Sequence, residues 1–421
     1  MERIRKLVAQ LQISVRDDES DYFRTMDYFL ILGGIQLLSK NPVHQVLFLC
    51  YRMLMTVQFS VWFDRVYVAY SEWNSTSELI GVISFLLGLV MIVVRAIIIR
   101  LYLEDIYAAR KYLGAQLNGL RMSESRIQSY RLLRRIGLVL EYTFFADQIL
   151  FYAFGIYQDK QYTVPDNLSR LGWQMKLLFN IIISTNHFVF SSVYATILTV
   201  QNTLLMGIGA ELDVILAQCD GIMARVDEKL KNAVDRDGDQ RMLYDVRGSR
   251  AEYFFWKLMK RELNVTVARH SRLLEQIDIL GGFFKMNFLV MFYMAIVIIG
   301  CASFYVNMLG LTVNTVIILS YVGAILLESY WFCKIADNMN DTNSQIGESL
   351  YNLGWSERMP EMPEARKEYF EIRETLLIVM TKVQQDLGIS CGGMFGLSMQ
   401  AFHELLKMIY SFLTFLLNTT S

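Results

Sequence analysis

Two charged residues stand inside runs of otherwise apolar sequence, Arg95 in VMIVVRAIII and Glu141 in LVLEYTF. A charged group in hydrocarbon costs about 2.5 to 3.5 kcal/mol unless it is paired or hydrated. Arg95 lies about 17 residues, and Glu141 about 16, from the same boundary, so at about 1.5 Å per residue both sit roughly 25 Å deep. The chemistry this offers first is a mutual ion pair, which is favoured over a gating role. Catalytic patterns are missing: there is no GxxxxGK[ST] phosphate loop, no HExxH and no GxSxG. DRDGDQ, residues 235–240, resembles part of a calcium loop, but aligning Gly238 with the loop glycine puts Tyr244 where the bidentate glutamate belongs. It reads as a solvated turn. Cys50, Cys219, Cys301, Cys333 and Cys391 show no metal-ligand or disulfide spacing. The expectation is a protein that is not an enzyme and carries no metal or cofactor.

The elements that would hold a buried charge follow from composition. Of 421 residues, 54% are hydrophobic, 13% aromatic and only 19% charged, with a mean hydropathy of +0.31. That is too apolar for an ordinary soluble domain. The net charge of −1 offers no basic surface, so nucleic acid is excluded as a partner. A membrane helix needs roughly 20 apolar residues. Seven such runs appear, at about 43–69, 79–103, 136–157, 174–208, 283–306, 312–336 and 394–417. An open sheet cannot satisfy its backbone in lipid, so the class is an all-α membrane protein with seven transmembrane helices.

Between the fourth and fifth runs the chain is polar, yet from Phe254 to Leu280 apolar residues recur at helical spacing. That pattern reads as a forward extension of the fifth helix outside the membrane. RKEYFEIRETLLIVMTKVQQDLGIS, residues 366–390, carries Arg373, Glu374, Lys382 and Asp386 through its apolar positions. Such a helix packs against other cytosolic helices rather than lipid. Gly388, Gly392 and Gly393 would then break it ahead of the last run.

Loop charge sets the orientation. The segment 104–135 holds Arg110, Lys111, Arg121, Arg126, Arg131, Arg134 and Arg135, whereas 70–78, 158–173 and 307–311 together hold only Lys160 and Arg170. The basic side faces the cytosol, giving a cytosolic N-terminus and an extracellular C-terminus, the reverse of heptahelical G-protein-coupled receptors. The first 40 residues lack a continuous apolar core, so no cleavable signal peptide is expected there.

Three stretches carry a family likeness: HSRLLEQIDIL from His270, ESYWFCKIADNMNDTNSQIGESLYNLGW from Glu328 to Trp355, and QAFHELLKMIYSFLTFLLN from Gln400 to Asn418. Together they resemble the insect odorant receptors, with Tyr351 and Trp355 at the family's Y-x-x-x-W spacing. One departure is Asp386, where many members carry a basic residue. The resemblance implies an odorant-gated, non-selective cation channel subunit in the plasma membrane of olfactory neurons. It would work as a heterotetramer with the shared odorant receptor co-receptor, in contact with membrane lipid, a small volatile odorant and permeating cations. It also implies one unit over 1–421: a tail and four helices over 1–210, a cytosolic helical anchor region over 211–390, and a pore-lining segment over 391–421.

The family's odorant pocket lies in the outer halves of helices two, three, four and six. Carried onto this sequence, those stretches offer Ser84, Phe85, Gly88, Phe151, Tyr152, Gly155, Asn180, Ile183, Ser184, His187, Ile317 and Tyr321. Aromatic walls with a few hydrogen-bonding groups suit a volatile ligand. Asp147 would face this cavity or reach water. The resemblance puts a hydrophobic gate near Phe415 and a narrow polar ring near Asn418, with Ser411 one turn below. A gustatory-type receptor of the same superfamily is the alternative, although YSFLTFLLN departs from its usual TYxxxxxQF pattern. A secondary transporter would show repeats and midplane breaks, and is the weaker case.

Overall fold

The computed structural model describes residues 23–37, 39, 41–71, 76–118, 131, 132, 135, 139, 149, 172–236, 249–310, 313–357, 359, 360 and 363–420. Within them the chain forms α1 (Arg24–Leu32), α2 (Pro42–Ser71), α3 (Thr76–Leu101), α4 (Leu103–Asn118), α5 (Trp173–Ser184), α6 (Asn186–Asp220) and α7 (Ile222–Arg236). There follow α8 (Ser249–Leu309), α9 (Val313–Tyr351), α10 (Pro363–Val383), the strands β1 (Ser390–Cys391) and β2 (Phe395–Gly396), and α11 (Met399–Thr420). The expected third span, 136–157, lies outside the described residues apart from the helical Val139 and Ile149.

Three of these helices are long and apolar enough to cross a membrane, within Phe188–Asp220, Glu252–Met308 and Ile318–Glu357. Leu86–Leu101 with Leu103–Ala115 makes a fourth if the 64° bend at Tyr102 falls within one span. The fourth apolar run is divided at Thr185 into α5 and α6, and α6 continues to Asp220. It is wrapped by α1, α3, α4, α8 and α9, and its Ser191, Ser192, Thr196, Thr199, Gln201, Asn202 and Thr203 are all buried. In lipid, such a polar helix is tolerated when protein satisfies it. Accordingly Thr196 bonds the Phe29 carbonyl of α1 at 2.7 Å, and Trp331 of α9 donates to Asn202 at 2.6 Å.

The expected forward extension of the fifth helix is present as α8, 61 residues without a break. At about 1.5 Å per residue it runs roughly 90 Å, three times a bilayer core. Residues 286–309 carry no charge, while the first half holds Lys260, Glu262, Arg269 and their neighbours. Only the latter part is therefore suited to lipid. The polar half packs on α7 and α10. Lys260 reaches Glu368 at 2.7 Å and also bonds Glu371, whose carboxyl it holds below its usual range. Deeper in this region Arg269 bonds Glu211 of α6 at 2.6 Å, and His270 meets Asn343 of α9 at 3.0 Å. Such buried bonds fix the helices more firmly than the exposed Lys260 pairs, which contribute little.

Before α11 the glycines do more than end a helix. Gly392 and Gly393, at φ 62° and 75°, form the left-handed turn of a small hairpin in which Ser390 pairs Gly396 and Cys391 pairs Phe395. A Cβ at Gly392 would also come within 2.8 Å of the Leu289 side chain. The hairpin is pinned on both sides: Gly392 N–H donates to the Lys285 carbonyl of α8 at 2.9 Å, and Leu387 N–H to the Asn340 side chain of α9 at 3.0 Å. The start of α11 is capped by Ser398, which accepts from Ala401 N–H at 3.2 Å, and by Asp337 of α9, which accepts from Met399 N–H at 2.9 Å. A carboxylate there also complements the helix dipole.

Further along, the Phe412 ring of α11 fills the notch left by Gly300 of α8, where an added Cβ would collide with the ring. We predict that Gly300→Leu displaces α11 and lowers folded surface protein several-fold. Phe412→Ala in the same chain should restore much of it. Surface biotinylation of the single and double variants checks this, and an unaffected Gly300→Leu would show that the notch does not set the contact.

Candidate functional site

Arg95 is fully buried and its charge is met by Glu328 of α9. Its Nη2 donates to Glu328 Oε1 at 2.5 Å and to Gln201 Oε1 of α6 at 2.7 Å, while Nε donates to Asn287 Oδ1 of α8 at 2.8 Å. Glu328 Oε2 accepts from the Tyr194 hydroxyl of α6 at 2.6 Å. The expected partner, Glu141, lies outside the described residues. Depth along two helices was a sound criterion for a partner, but Glu328 satisfies it as well. It lies in the apolar run of the sixth span, in ILLESYWF, where a lone carboxylate is as costly as a lone guanidinium. That shared cost was the signal that could have found it; nothing in the spacing points to Asn287, Gln201 or Tyr194.

The knot puts three helices in register. Arg95, Tyr194 and Glu328 meet at one level on α3, α6 and α9. Gly88, His187 and Tyr321 each precede one of them by seven residues, two turns or about 10 Å, on the same three helices. The expected ligand-binding positions on these helices thus stand above a common polar floor. A Cβ at Gly88 would meet nothing within 4 Å, and Tyr321 is 37% exposed, so neither is packed into the core. Ser84 and Phe85 lie on α3, Asn180, Ile183 and Ser184 on α5, and Ile317 on α9; their side chains, like that of His187, lie outside the described residues, as do Phe151, Tyr152, Gly155 and Asp147 altogether.

On α11, Ala401, Leu405 and Ile409 are buried against the body of the protein. Ser411, Phe415 and Asn418, spaced by four and three residues, share another face and are all exposed, Phe415 to 61%. The helix is thus two-sided: one stripe packs, and one is left uncovered by its own chain.

Comparison with known proteins gives one consistent answer. A family profile described as 7tm odorant receptor matches residues 75–410. Odorant receptor 22b of Drosophila melanogaster is 21% identical over 154 residues, 37% of this chain and 36% of that protein. Odorant receptor Or2 of Anopheles gambiae is 27% identical over 97 residues, 23% of each chain. These alignments therefore span well under half of either relative. In structure, the insect olfactory receptor OR5 from Machilis hrabei superposes with a TM-score of 0.64 at 10% identity, over 94% of this chain and 98% of that one. The same receptor in complex with eugenol gives 0.61 at 10% identity, over 95% and 100%. At that identity the likeness is one of fold.

Removing one partner of a buried ion pair costs about 3 to 5 kcal/mol, because the other charge is left unpaired. Arg95→Met and Glu328→Met should each cut the yield of folded protein sharply, and the double variant should recover a large part of it. Fluorescence size-exclusion profiles of the four proteins test this. Strictly additive losses would mean that the two side chains do not depend on one another.

Proposed function

The chain belongs to the 7tm odorant receptor family, and on that premise we propose that it is the odorant-binding subunit of an odorant-gated cation channel. In this reading seven helices cross the plasma membrane of an olfactory neuron, with the N-terminus cytosolic, and the subunit assembles with the shared co-receptor. A volatile ligand binds among α3, α5, α6 and α9, above the Arg95 knot, with Gly88, His187 and Tyr321 two turns above that floor. The helices α7 and α10 and the polar halves of α8 and α9 form the cytosolic anchor. The uncovered face of α11 lines the ion path, Phe415 as its apolar gate and Asn418 as its polar mouth.

The observation that carries this reading is the likeness in fold, over nearly the whole chain, to an olfactory receptor solved with the odorant eugenol bound. The two-sided α11 supports the pore assignment, since a closed pore needs an apolar constriction and a cation path needs oxygen groups near its mouth. A gustatory-type receptor would share the architecture and differ in working without the co-receptor.

Whole-cell recordings with and without the co-receptor test the proposal. Odorant-evoked current is expected only with both subunits. Phe415→Ala should then raise resting current several-fold, Asn418→Lys should reduce cation conductance, and Tyr321→Phe should move the odorant concentration-response curve while leaving maximal current unchanged. Silent changes on α11, normalised to surface protein, would assign that face to lipid. Current from this chain alone would favour the gustatory-type reading.

Orientation is tested separately. An epitope after Ser421 should be labelled on intact cells, and one before Met1 only after permeabilisation. The opposite result would overturn the placement of the anchor in the cytosol.

A further inference from the structure

Between α3 and α8, on the outside of the bundle, lies an open cleft of about 420 Å³ whose walls include Val90 and Val94 of α3 and Leu289, Val290 and Tyr293 of α8. Its lining side chains are apolar apart from the Tyr293 hydroxyl, which is directed at Met394, so in a membrane it takes hydrocarbon.

Register fixes what stands at one end. Tyr102 lies against Gly282, and Arg95 bonds Asn287, so the two helices run antiparallel and Arg100 is level with Lys285. Both are exposed, and both lie just beyond the cleft toward the polar helices α4, α7 and α10. Neither forms an ion pair among the described residues. The nearest exposed carboxylates along the chain are Asp278, two turns farther along α8, and Glu104, beyond the bend at Tyr102. Ile97, Leu101 and Met286, exposed to 52%, 73% and 43%, continue the apolar surface between the cleft and these two cations. An apolar slot capped at the membrane boundary by two unpaired cations is complementary to one kind of molecule.

We propose that this cleft binds an anionic phospholipid of the leaflet adjoining the polar helices, with an acyl chain between α3 and α8 and the headgroup phosphate held by Arg100 and Lys285. Each basic side chain near an anionic lipid surface contributes about 1 kcal/mol, and long cationic stems extend readily to that level. The site has a consequence for α11. Tyr293, in the cleft wall, points its hydroxyl at Met394 Sδ, 3.9 Å away in the hairpin that leads into α11. A bound chain would therefore steady the segment from which α11 starts. This proposal rests on the membrane placement of α3 and α8 and not on the odorant reading, so either can fail without the other.

The test uses the full chain purified in detergent, with dioleoyl phosphatidylglycerol or dioleoyl phosphatidylcholine added in mixed micelles and thermal unfolding followed. Phosphatidylglycerol should raise the unfolding midpoint at lower lipid concentration than phosphatidylcholine. Arg100→Gln and Lys285→Gln should each weaken the apparent lipid affinity roughly fivefold, while Arg100→Lys and Lys285→Arg should preserve it. Val94→Trp, which fills the cleft, should remove the shift. The charge variants are at exposed positions, so they remain informative if Val94→Trp does not fold. Equal stabilisation by the two lipids, or an effect of phosphatidylglycerol unchanged in both glutamine variants, would overturn the proposal. So would an equal shift from glycerol phosphate alone, or a cross-link from Val94→Cys to a second copy of the chain.

Discussion

A guanidinium buried in the apolar part of a membrane bundle has to be answered, and the rest of the architecture is arranged around that need. Arg95 brings α3, α6, α8 and α9 to one level through Gln201, Asn287 and Glu328, with Tyr194 closing the second oxygen of the carboxylate. Such a knot is a poor source of net stability, since desolvating the charges offsets most of their attraction. Its effect is on specificity. A helix displaced by one turn would leave a charge or an amide without its partner in hydrocarbon, so alternative registers of these four helices are disfavoured. The positions two turns away on α3, α6 and α9 inherit that alignment, which is what a ligand site spread over three helices requires.

Two of the helices in the knot also reach the final helix. α8 supplies Asn287 to the knot and, farther along, the Gly300 notch that seats Phe412. α9 supplies Glu328 and, nine residues later, Asp337, which caps the first turn of α11. The knot and α11 therefore share rigid supports rather than a flexible linker. The hairpin between α10 and α11, pinned to Lys285 and Asn340, lets the last helix change direction without loosening its hold on either. If the proposed ligand site and pore are as assigned, α8 and α9 are a physical path between them, in the sense that one packed element touches both.

Much of this was legible in the sequence where the signal is local. Apolar run length located α2, α3, the latter part of α8 and the first part of α9, and helical spacing from Phe254 to Leu280 disclosed the polar half of α8. The charges in residues 366–390 identified α10 as a helix that packs on other helices, here α8 and α9. What could not be read was long-range. Arg95 announced that it needed a partner, but finding Glu328 depends on which helices are neighbours, and an apolar run does not encode its neighbours. The break at Thr185, which separates α5 from α6, has no glycine or proline to mark it. The hairpin at Gly392 was visible only as a helix break, because two-residue strands have no periodicity. α1 was overlooked for a related reason: it is nine residues long, and its contribution lies in tertiary contacts, with Asp27 forming a two-pronged bond to Arg110 of α4 at 2.7 and 2.6 Å.

The separation of the knot's members along the chain has a consequence during synthesis. Arg95 precedes Asn287 by 192 residues and Glu328 by 233. At about 5 to 20 residues per second, a ribosome needs roughly 12 to 47 s to deliver the carboxylate after the guanidinium. Until then the neutral amides of Gln201 and Asn287 are the members of the knot available to Arg95, and no carboxylate of the knot yet meets its charge. The knot cannot close until α9 has emerged, so each nascent chain passes through a stage in which α3 is made and the carboxylate of the knot is not.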